Sequence, residues 1–120
     1  SEAQKINELG PLGFEEYCRE HVKKLGYEVK TCQNYDGGID IRAMKVLDNL
    51  ETEYLIVQCK HWKTPIPPNE MRAFKTACDE EHSDYKKVKM FITSSRFSPS
   101  AKELANKHNI IMIDGDDLIK

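Results

Sequence analysis

The pattern of apolar and polar residues predicts helices and strands along most of the chain. An apolar stripe at helical spacing predicts a helix over 12–25, and alternating residues predict strands over 27–32 and 39–44. A turn at Asp48-Asn49 connects the second of these strands to an apolar strand over 54–60. Residues 39–60 are therefore expected to form an antiparallel hairpin.

The second half of the chain alternates between helices and strands. The predicted helices and strands cover 70–81, 87–93, 98–108, 110–113 and a closing helical turn within 114–120. Asn69 is the expected N-cap of the first helix, and the strand 110–113 is apolar enough to be buried. Since strand–helix–strand units form right-handed crossovers, these strands should pair in parallel. The predicted fold class is α/β, with a mixed sheet flanked by helices.

Polar side chains interrupt the apolar strand 54–60 at its end. Gln58 and Lys60 lie two residues apart, so they project from the same face. Asp40 opens the first arm of the hairpin, with Ile39 and Ile41 together on the opposite face. Because the ends of an antiparallel pair are adjacent, we expect Asp40 to reach the pocket that holds Gln58 and Lys60.

The first helix adds one candidate acid to this pocket. At about 100° per residue, Glu15 falls near Val22, at the margin of the buried stripe, whereas Glu16 points almost opposite. Glu15 could therefore face a cleft. It could equally be an ordinary acid near a helix N-terminus, where the helix dipole favours negative charge.

The residue types in this pocket suit metal-assisted hydrolysis. Carboxylate and amide oxygens are ligands for a hard cation such as Mg²⁺, and the backbone carbonyl of Cys59 could add another oxygen. Lys60 would supply a donor to an attacking water or to the charge that develops on phosphorus. A metal and a lysine together are sufficient for phosphodiester hydrolysis.

Composition and charge limit the alternatives. The chain has 120 residues, 39% of them hydrophobic and 32% charged, which predicts one globular domain rather than a disordered segment. The net charge of −2 gives no global basicity, although a local basic surface remains compatible with it. The four cysteines show neither a CxxC pair nor zinc-finger spacing, which favours free thiols in a reducing, cytoplasmic-type compartment. No transmembrane-length apolar run is present.

The ordered motifs resemble a known family of nucleases. The segments DGGID (36–40) and QCK (58–60) resemble the PD-(D/E)xK nuclease signature in its QxK form. More narrowly, residues from about 12 to 120 resemble the catalytic domain of Mrr-like (type IV) restriction endonucleases. Further segments carry this resemblance: GFE at 13–15, LGYEV at 25–29, FITSSRFS at 91–98, AKELA at 101–105 and IDGDDL at 113–118.

The resemblance implies a restriction-endonuclease-like core and a site that uses Mg²⁺ or Mn²⁺. Asp40 would be the principal metal-binding carboxylate, Gln58 would replace the usual acid, and Lys60 would be the catalytic lysine. Glu15 would be the helix-borne acid near the metal, in contact with it directly or through water. Residues 12–120 would form the catalytic domain, after an N-terminal extension over 1–11.

Two loops and one turn are candidates for contact with nucleic acid. Ser94, Ser95 and Arg96 lie between a strand and a helix, where they could hold phosphate oxygens or form only a solvated loop and helix cap. Trp62 and Lys63 could stack on a base and pair with phosphate, although Trp62 could instead pack as a lid over the strand end. Asp36 could contact nucleic acid or only hold its turn.

The sequence thus predicts a Mg²⁺-dependent DNA endonuclease that restricts modified or foreign DNA. Two alternatives remain: an inactive nuclease-derived module that only binds nucleic acid, and a nuclease for RNA or branched DNA. Since one such core cuts one strand per site, double-strand cleavage would require a homodimer or two visits. Choice of a target would fall to a recognition domain elsewhere in a larger parent chain.

Overall fold

A computed structural model of the protein describes residues 1–30 and 38–120, and its strands form one mixed sheet. The sheet order is β1-β2-β3-β4-β5; β1–β2 and β2–β3 pair antiparallel, whereas β3–β4 and β4–β5 pair in parallel. The predicted α/β class and the change from antiparallel to parallel pairing are confirmed. The elements in chain order are α1 (Glu2–Asn7), α2 (Pro11–Lys24), β1 (Glu28–Lys30), β2 (Ile41–Val46), β3 (Thr52–Lys60), α3 (Pro68–Glu80), β4 (Lys86–Thr93), α4 (Pro99–Lys107), β5 (Ile110–Ile113) and α5 (Gly115–Leu118).

Among the described elements, helix α1 alone was not predicted by the apolar pattern. Ser1 caps it through a capping box with Gln4, and Ile6 is buried beside α2 in the core. A helix of six residues spans fewer than two turns, so its single buried residue leaves no periodic stripe in the sequence.

The sheet separates two apolar clusters. On one side, α2 packs Phe14, Cys18 and Val22 against alternate residues of the central strands. On the other, α3 and α4 pack their inner faces, including Met71, Phe74, Cys78, Ala101 and Ala105. Burial on both faces accounts for the nearly continuous apolar run Leu55–Val57, which is fully inaccessible to solvent.

The first arm of the hairpin departs from regular alternation at Asp40. Ile41 belongs to the cluster on the α2 side, but Ile39 lies in the cluster on the α3 side, so the prediction that they share a face is wrong. The Asp40 N–H donates to the Val57 carbonyl at 2.8 Å, although the Cα partner of Val57 is Ile41. Two residues of one strand therefore oppose one residue of the other, which is the pattern of a β-bulge.

Two further details differ from the sequence prediction. Helix α3 starts earlier than expected, because Pro67 is its N-cap and Pro68 its first residue; Asn69 lies inside the helix and does not cap it. Proline suits this position, since its fixed φ matches the helix and no amide hydrogen is lost. Strand β5 is at the sheet edge, so Ile111 is 43% exposed rather than buried.

The remaining helix ends and the cysteines agree with their predictions. Gly26 follows α2 with φ of +95°, Ser98 caps α4 through the Ala101 N–H, and Cys18 and Cys78 are buried free thiols. Cys32 and the turn predicted around it fall within 31–37, outside the described residues. None of the helices in 1–30 and 38–120 has the length and apolar character needed to cross a membrane.

The close approach of α5 to the loop after β4 predicts the effect of a small substitution. A Cβ atom at Gly115 would lie 2.3 Å from the Ser94 carbonyl oxygen, so Gly115→Ala should displace backbone and lower the free energy of unfolding by about 1–3 kcal/mol. Denaturant unfolding measures the loss. Gly10→Ala is the control, because a Cβ there meets nothing within 4 Å; an equal loss in both variants would contradict the packing argument.

The ion pair at the end of α3 predicts acid sensitivity. The Arg42 guanidinium and a hydrogen bond from the Tyr54 hydroxyl lower the pKa of Glu81 below its usual 4.5. Burial and the same hydrogen bond to Glu81 raise the pKa of Tyr54 to about 12. A lowered carboxyl pKa stabilises the fold above pH 4.5, and that contribution disappears as the pH falls through the folded-state pKa.

Glu81→Gln should therefore destabilise the protein at pH 7, and the difference from the parent should shrink toward pH 3. Denaturant titrations at both pH values test this. Glu80→Gln, on the exposed face of the same helix, should show no such pH-dependent difference.

Candidate active site

Asp40 joins the two arms of the hairpin at the end of β3. Its Oδ2 atom accepts hydrogen bonds from the Gln58 side-chain amide and from the Cys59 backbone N–H, each at 2.7 Å. The bulge turns the Asp40 carboxylate toward β3, where it meets both groups. The predicted meeting of Asp40 with Gln58 is confirmed in these distances.

Gly38 explains part of the DGGID motif. Its φ of +93° lies in the left-handed region that favours glycine, and a Cβ there would approach Gln58 Oε1 to 3.3 Å. The backbone before Asp40 therefore lies against the Gln58 amide, which is 7% exposed. Asp36 falls within 31–37, beyond the part of the chain that the structure describes.

Glu15 approaches the same region from the opposite side of the sheet. Its side chain is 28% exposed, against 60% for Glu16, and it forms an ion pair with Arg19 at 2.7 Å. A hydrogen bond with Cys18, burial, and the negative charges of Asp40 and Glu15 all raise the pKa of the Cys59 thiol. The two carboxylates, on different elements, thus lie near enough to Cys59 to act on its charge, which supports the helical-phase prediction that chose Glu15.

Lys60 points toward α3 rather than toward Asp40. Its Nζ atom lies 3.2 Å from Glu70 Oε1 and 5.9 Å from the centroid of the Trp62 ring. No ion pair joins Lys60 to Asp40 among the described residues, so the structure brings Asp40 and Gln58 together and holds Lys60 beside them. Sequence reasoning missed Glu70; the only signal was its place in the first turn of a helix that follows the QCK strand.

The loop after β4 is tied to the connection after β3. His61 stacks on Phe14 with ring centroids 4.7 Å apart, and its Nε2 donates to the Leu9 carbonyl at 2.8 Å. Its Nδ1 is then free to accept from the Ser94 hydroxyl at 2.6 Å. Ser95 bonds to Thr64 and Thr93, and the cap of α4 is Ser98 rather than this loop. Ser94 and Ser95 therefore form a braced loop.

A cavity of about 800 Å³ opens beside this braced loop. Trp62, Lys63, Ser94, Ser95 and Arg96 all line it, so the structure gathers every described candidate for contact with nucleic acid along one surface. Trp62 also packs against the apolar cluster on the α3 side, which confirms that it covers the strand end. Arg96 and Lys63 are exposed.

The oxygen donors at Asp40 fit a hard divalent cation that keeps part of its water shell. Across 1–30 and 38–120, no three His, Cys, Asp or Glu side chains converge closely enough to hold a metal ion by themselves. A cation at Asp40 would therefore depend on amide, backbone and water oxygens as well. Mg²⁺ commonly binds in this manner, through one or two carboxylates plus waters.

Solved structures with the same fold include several nucleases. The modification-dependent restriction endonuclease AspBHI matches with a TM-score of 0.72 at 14% identity, over 98% of this chain and 33% of that one. MspJI, solved in complex with a 27-mer oligonucleotide, matches with a TM-score of 0.62 at 16% identity, over 87% of this chain and 25% of that one. A repair endonuclease from Pyrococcus abyssi matches with a TM-score of 0.66 at 12% identity, over 89% of this chain and 47% of that one. The chain thus spans between a quarter and a half of the length of these proteins.

Comparison of sequences gives the family. No curated protein sequence matches the chain significantly. The Mrr_cat family, described as restriction endonuclease, matches residues 6–120, which is nearly the whole chain. The chain belongs to the Mrr_cat restriction endonuclease family.

Proposed function

We propose that the chain is the catalytic domain of a Mg²⁺-dependent DNA endonuclease that restricts modified or foreign DNA. The observation that carries this proposal is the cluster at the end of β3, where Asp40 bonds to Gln58 and Cys59 and Lys60 projects beside them. Family membership supports a nuclease, and the oligonucleotide bound to MspJI and the modification dependence of AspBHI support DNA as substrate.

Each residue of the cluster has a distinct task in this proposal. Asp40, Gln58 and the Cys59 carbonyl would supply oxygen ligands, with Glu15 reaching the cation directly or through water. The bound Mg²⁺, or Mn²⁺, would polarise the phosphodiester and lower the pKa of a water. Lys60 has three N–H donors, and among the described residues Glu70 is its ion-pair partner, so N–H groups remain for the attacking water or a phosphate oxygen.

The cationic loop residues extend the surface beyond the cleaved bond. Lys63 and Arg96 would pair with neighbouring phosphates, because neither forms an ion pair with another described residue. Ser94 and Ser95, whose hydroxyls already bond within the protein, would position this surface rather than bind strongly themselves. Asp36 stays a proposed contact with nucleic acid. Double-strand cleavage would be carried out by a homodimer, and a domain elsewhere in a longer chain would choose the target.

The alternatives differ in what they require of the cluster. A module that only binds nucleic acid needs neither a metal at Asp40 nor a free N–H on Lys60. A nuclease for RNA or branched DNA needs both, and differs only in substrate. Free thiols at Cys18, Cys59 and Cys78 suit a reducing compartment for any of the three.

Cleavage should depend on Lys60 and on the metal. Lys60→Ala should lower kcat by about 10²–10⁴-fold, because it removes the donor to the attacking water or transition state. Plasmid, methylated, single-stranded and RNA substrates, each with Mg²⁺, Mn²⁺ or chelator, would measure the rate and the substrate class. Chelator should abolish cleavage of all of them.

Lys86→Ala is the matched control, since this exposed lysine begins the neighbouring strand at the opposite end of the sheet. Equal cleavage by Lys60→Ala and the parent would refute the proposed mechanism. Metal binding that does not change in Asp40→Asn, measured by calorimetry, would favour the binding module instead.

Glu70 should act as a positioning residue for Lys60. Glu70→Gln keeps an oxygen near the Lys60 ammonium but loses the charge, so kcat should fall about tenfold with KM nearly unchanged. In Glu70→Ala, kcat should fall by up to about a hundredfold. Steady-state kinetics separate the two constants. Glu80→Gln, exposed on the same helix, should match the parent, and a rise in KM alone for the Glu70 variants would contradict a positioning role.

A further inference from the structure

The 800 Å³ cavity is linked to the proposed cleavage site through Trp62. Trp62 forms part of its wall and also lies 5.9 Å, at its ring centroid, from Lys60 Nζ. Lys60 is the last residue of β3, so the chain passes from the catalytic lysine to the cavity wall within two residues. A DNA strand whose phosphate reaches Lys60 would therefore extend across Trp62 and into the cavity.

The chemistry of the walls has two parts. An apolar part is formed by side chains from the N-terminal segment, including Ile6, Leu9 and Pro11, and by Ile119, which follows α5. The cations of Lys63 and Arg96 lie on the same lining and are exposed, against the single carboxylate of Asp116. An apolar surface with an aromatic ring suits the face of a base, and the cations suit its phosphate.

A partly apolar cavity of this volume suits the face of a base that is not held within a duplex. Paired bases are stacked and present only their edges in the grooves, so their faces cannot contact a concave apolar wall. An unpaired nucleotide can enter such a cavity at low cost because no stack has to be broken. The bonds of Ser94 and Ser95 to His61, Thr64 and Thr93 brace the wall, so the cavity is already formed before the nucleotide enters.

We propose that this cavity binds one unpaired nucleotide of the DNA strand, adjacent to the phosphate that Lys60 contacts. The proposal rests on the proposed nuclease function for the identity of the strand. It predicts a preference for DNA with an unpaired nucleotide over fully paired DNA, which general contact with phosphates would not produce.

Trp62 is the only tryptophan in the sequence, so its fluorescence reports on this wall. The intact chain would be titrated in chelator with a duplex that carries one unpaired nucleotide, the same duplex with an abasic residue there, and a fully paired duplex. We expect quenching and tightest binding with the unpaired base, and about tenfold weaker binding without quenching for the other two. The proposal would be overturned if the abasic or the fully paired duplex gave the same quenching and affinity as the duplex with the unpaired base.

Variants separate the cavity from general attraction to DNA. Arg96→Ala should weaken binding of the duplex with the unpaired nucleotide about tenfold, whereas Arg72→Ala, an exposed arginine on α3, should change it less than twofold. Equal losses in the two variants would overturn the proposal. Trp62→Phe should retain most of the affinity for the duplex with the unpaired nucleotide, and Trp62→Ala should not. Thermal unfolding checks that both variants are folded. If either variant is unfolded, the titration of the parent protein decides the question.

The outcome is independent of cleavage. Base-dependent quenching in chelator supports the cavity even if no hydrolysis is found. Loss of cleavage in Lys60→Ala together with equal binding of all three duplexes would leave the nuclease proposal intact and reject the cavity.

Discussion

The irregular pairing at Asp40 is the constraint on which the candidate site depends. In a regular strand Asp40 would continue the alternation of β2, and its carboxylate would follow the face set by Arg42. The bulge instead places Ile39 and Ile41 in opposite clusters and turns the carboxylate toward the Cys59 N–H and the Gln58 amide. Gly38, with its positive φ and close approach to Gln58, makes this course of the backbone accessible.

The change from antiparallel to parallel pairing at β3 gives the site its surroundings. Because β3 and β4 run in parallel, their ends and the loops that follow lie side by side. The Ile66 N–H donates to the Arg96 carbonyl, and the Thr93 hydroxyl to the Lys60 carbonyl, both at 2.8 Å. The connection after β3 and the loop after β4 therefore form one continuous surface beside the hairpin.

Lys60 connects this surface to α3. A lysine at a strand end would otherwise have several rotamers, and fixing it costs conformational entropy. Glu70 and Trp62 restrict it from two directions, while N–H groups remain beyond its ion pair with Glu70. Glu70 lies in the first turn of α3, and from there its carboxylate reaches the ammonium at the strand end.

Local patterns in the sequence account for most of the fold and for most members of the central cluster. The apolar run of β3, the hairpin turn and the strand–helix alternation are local patterns, and each predicted its element because burial on one or two faces imposes a fixed period. Helical phase likewise distinguished Glu15 from Glu16, as the side-chain exposures confirm.

The contacts that those residues make depend instead on long-range packing. Three features join residues that are distant in the sequence. They are the bulge at Asp40, the pairing of Lys60 with Glu70, and the cavity between the N-terminal segment and the loop after β4. No local period records such contacts, since they depend on register and on how elements pack. The short α1 was missed for the same reason, because its place in the fold rests on one buried residue, Ile6, and its neighbours in the core.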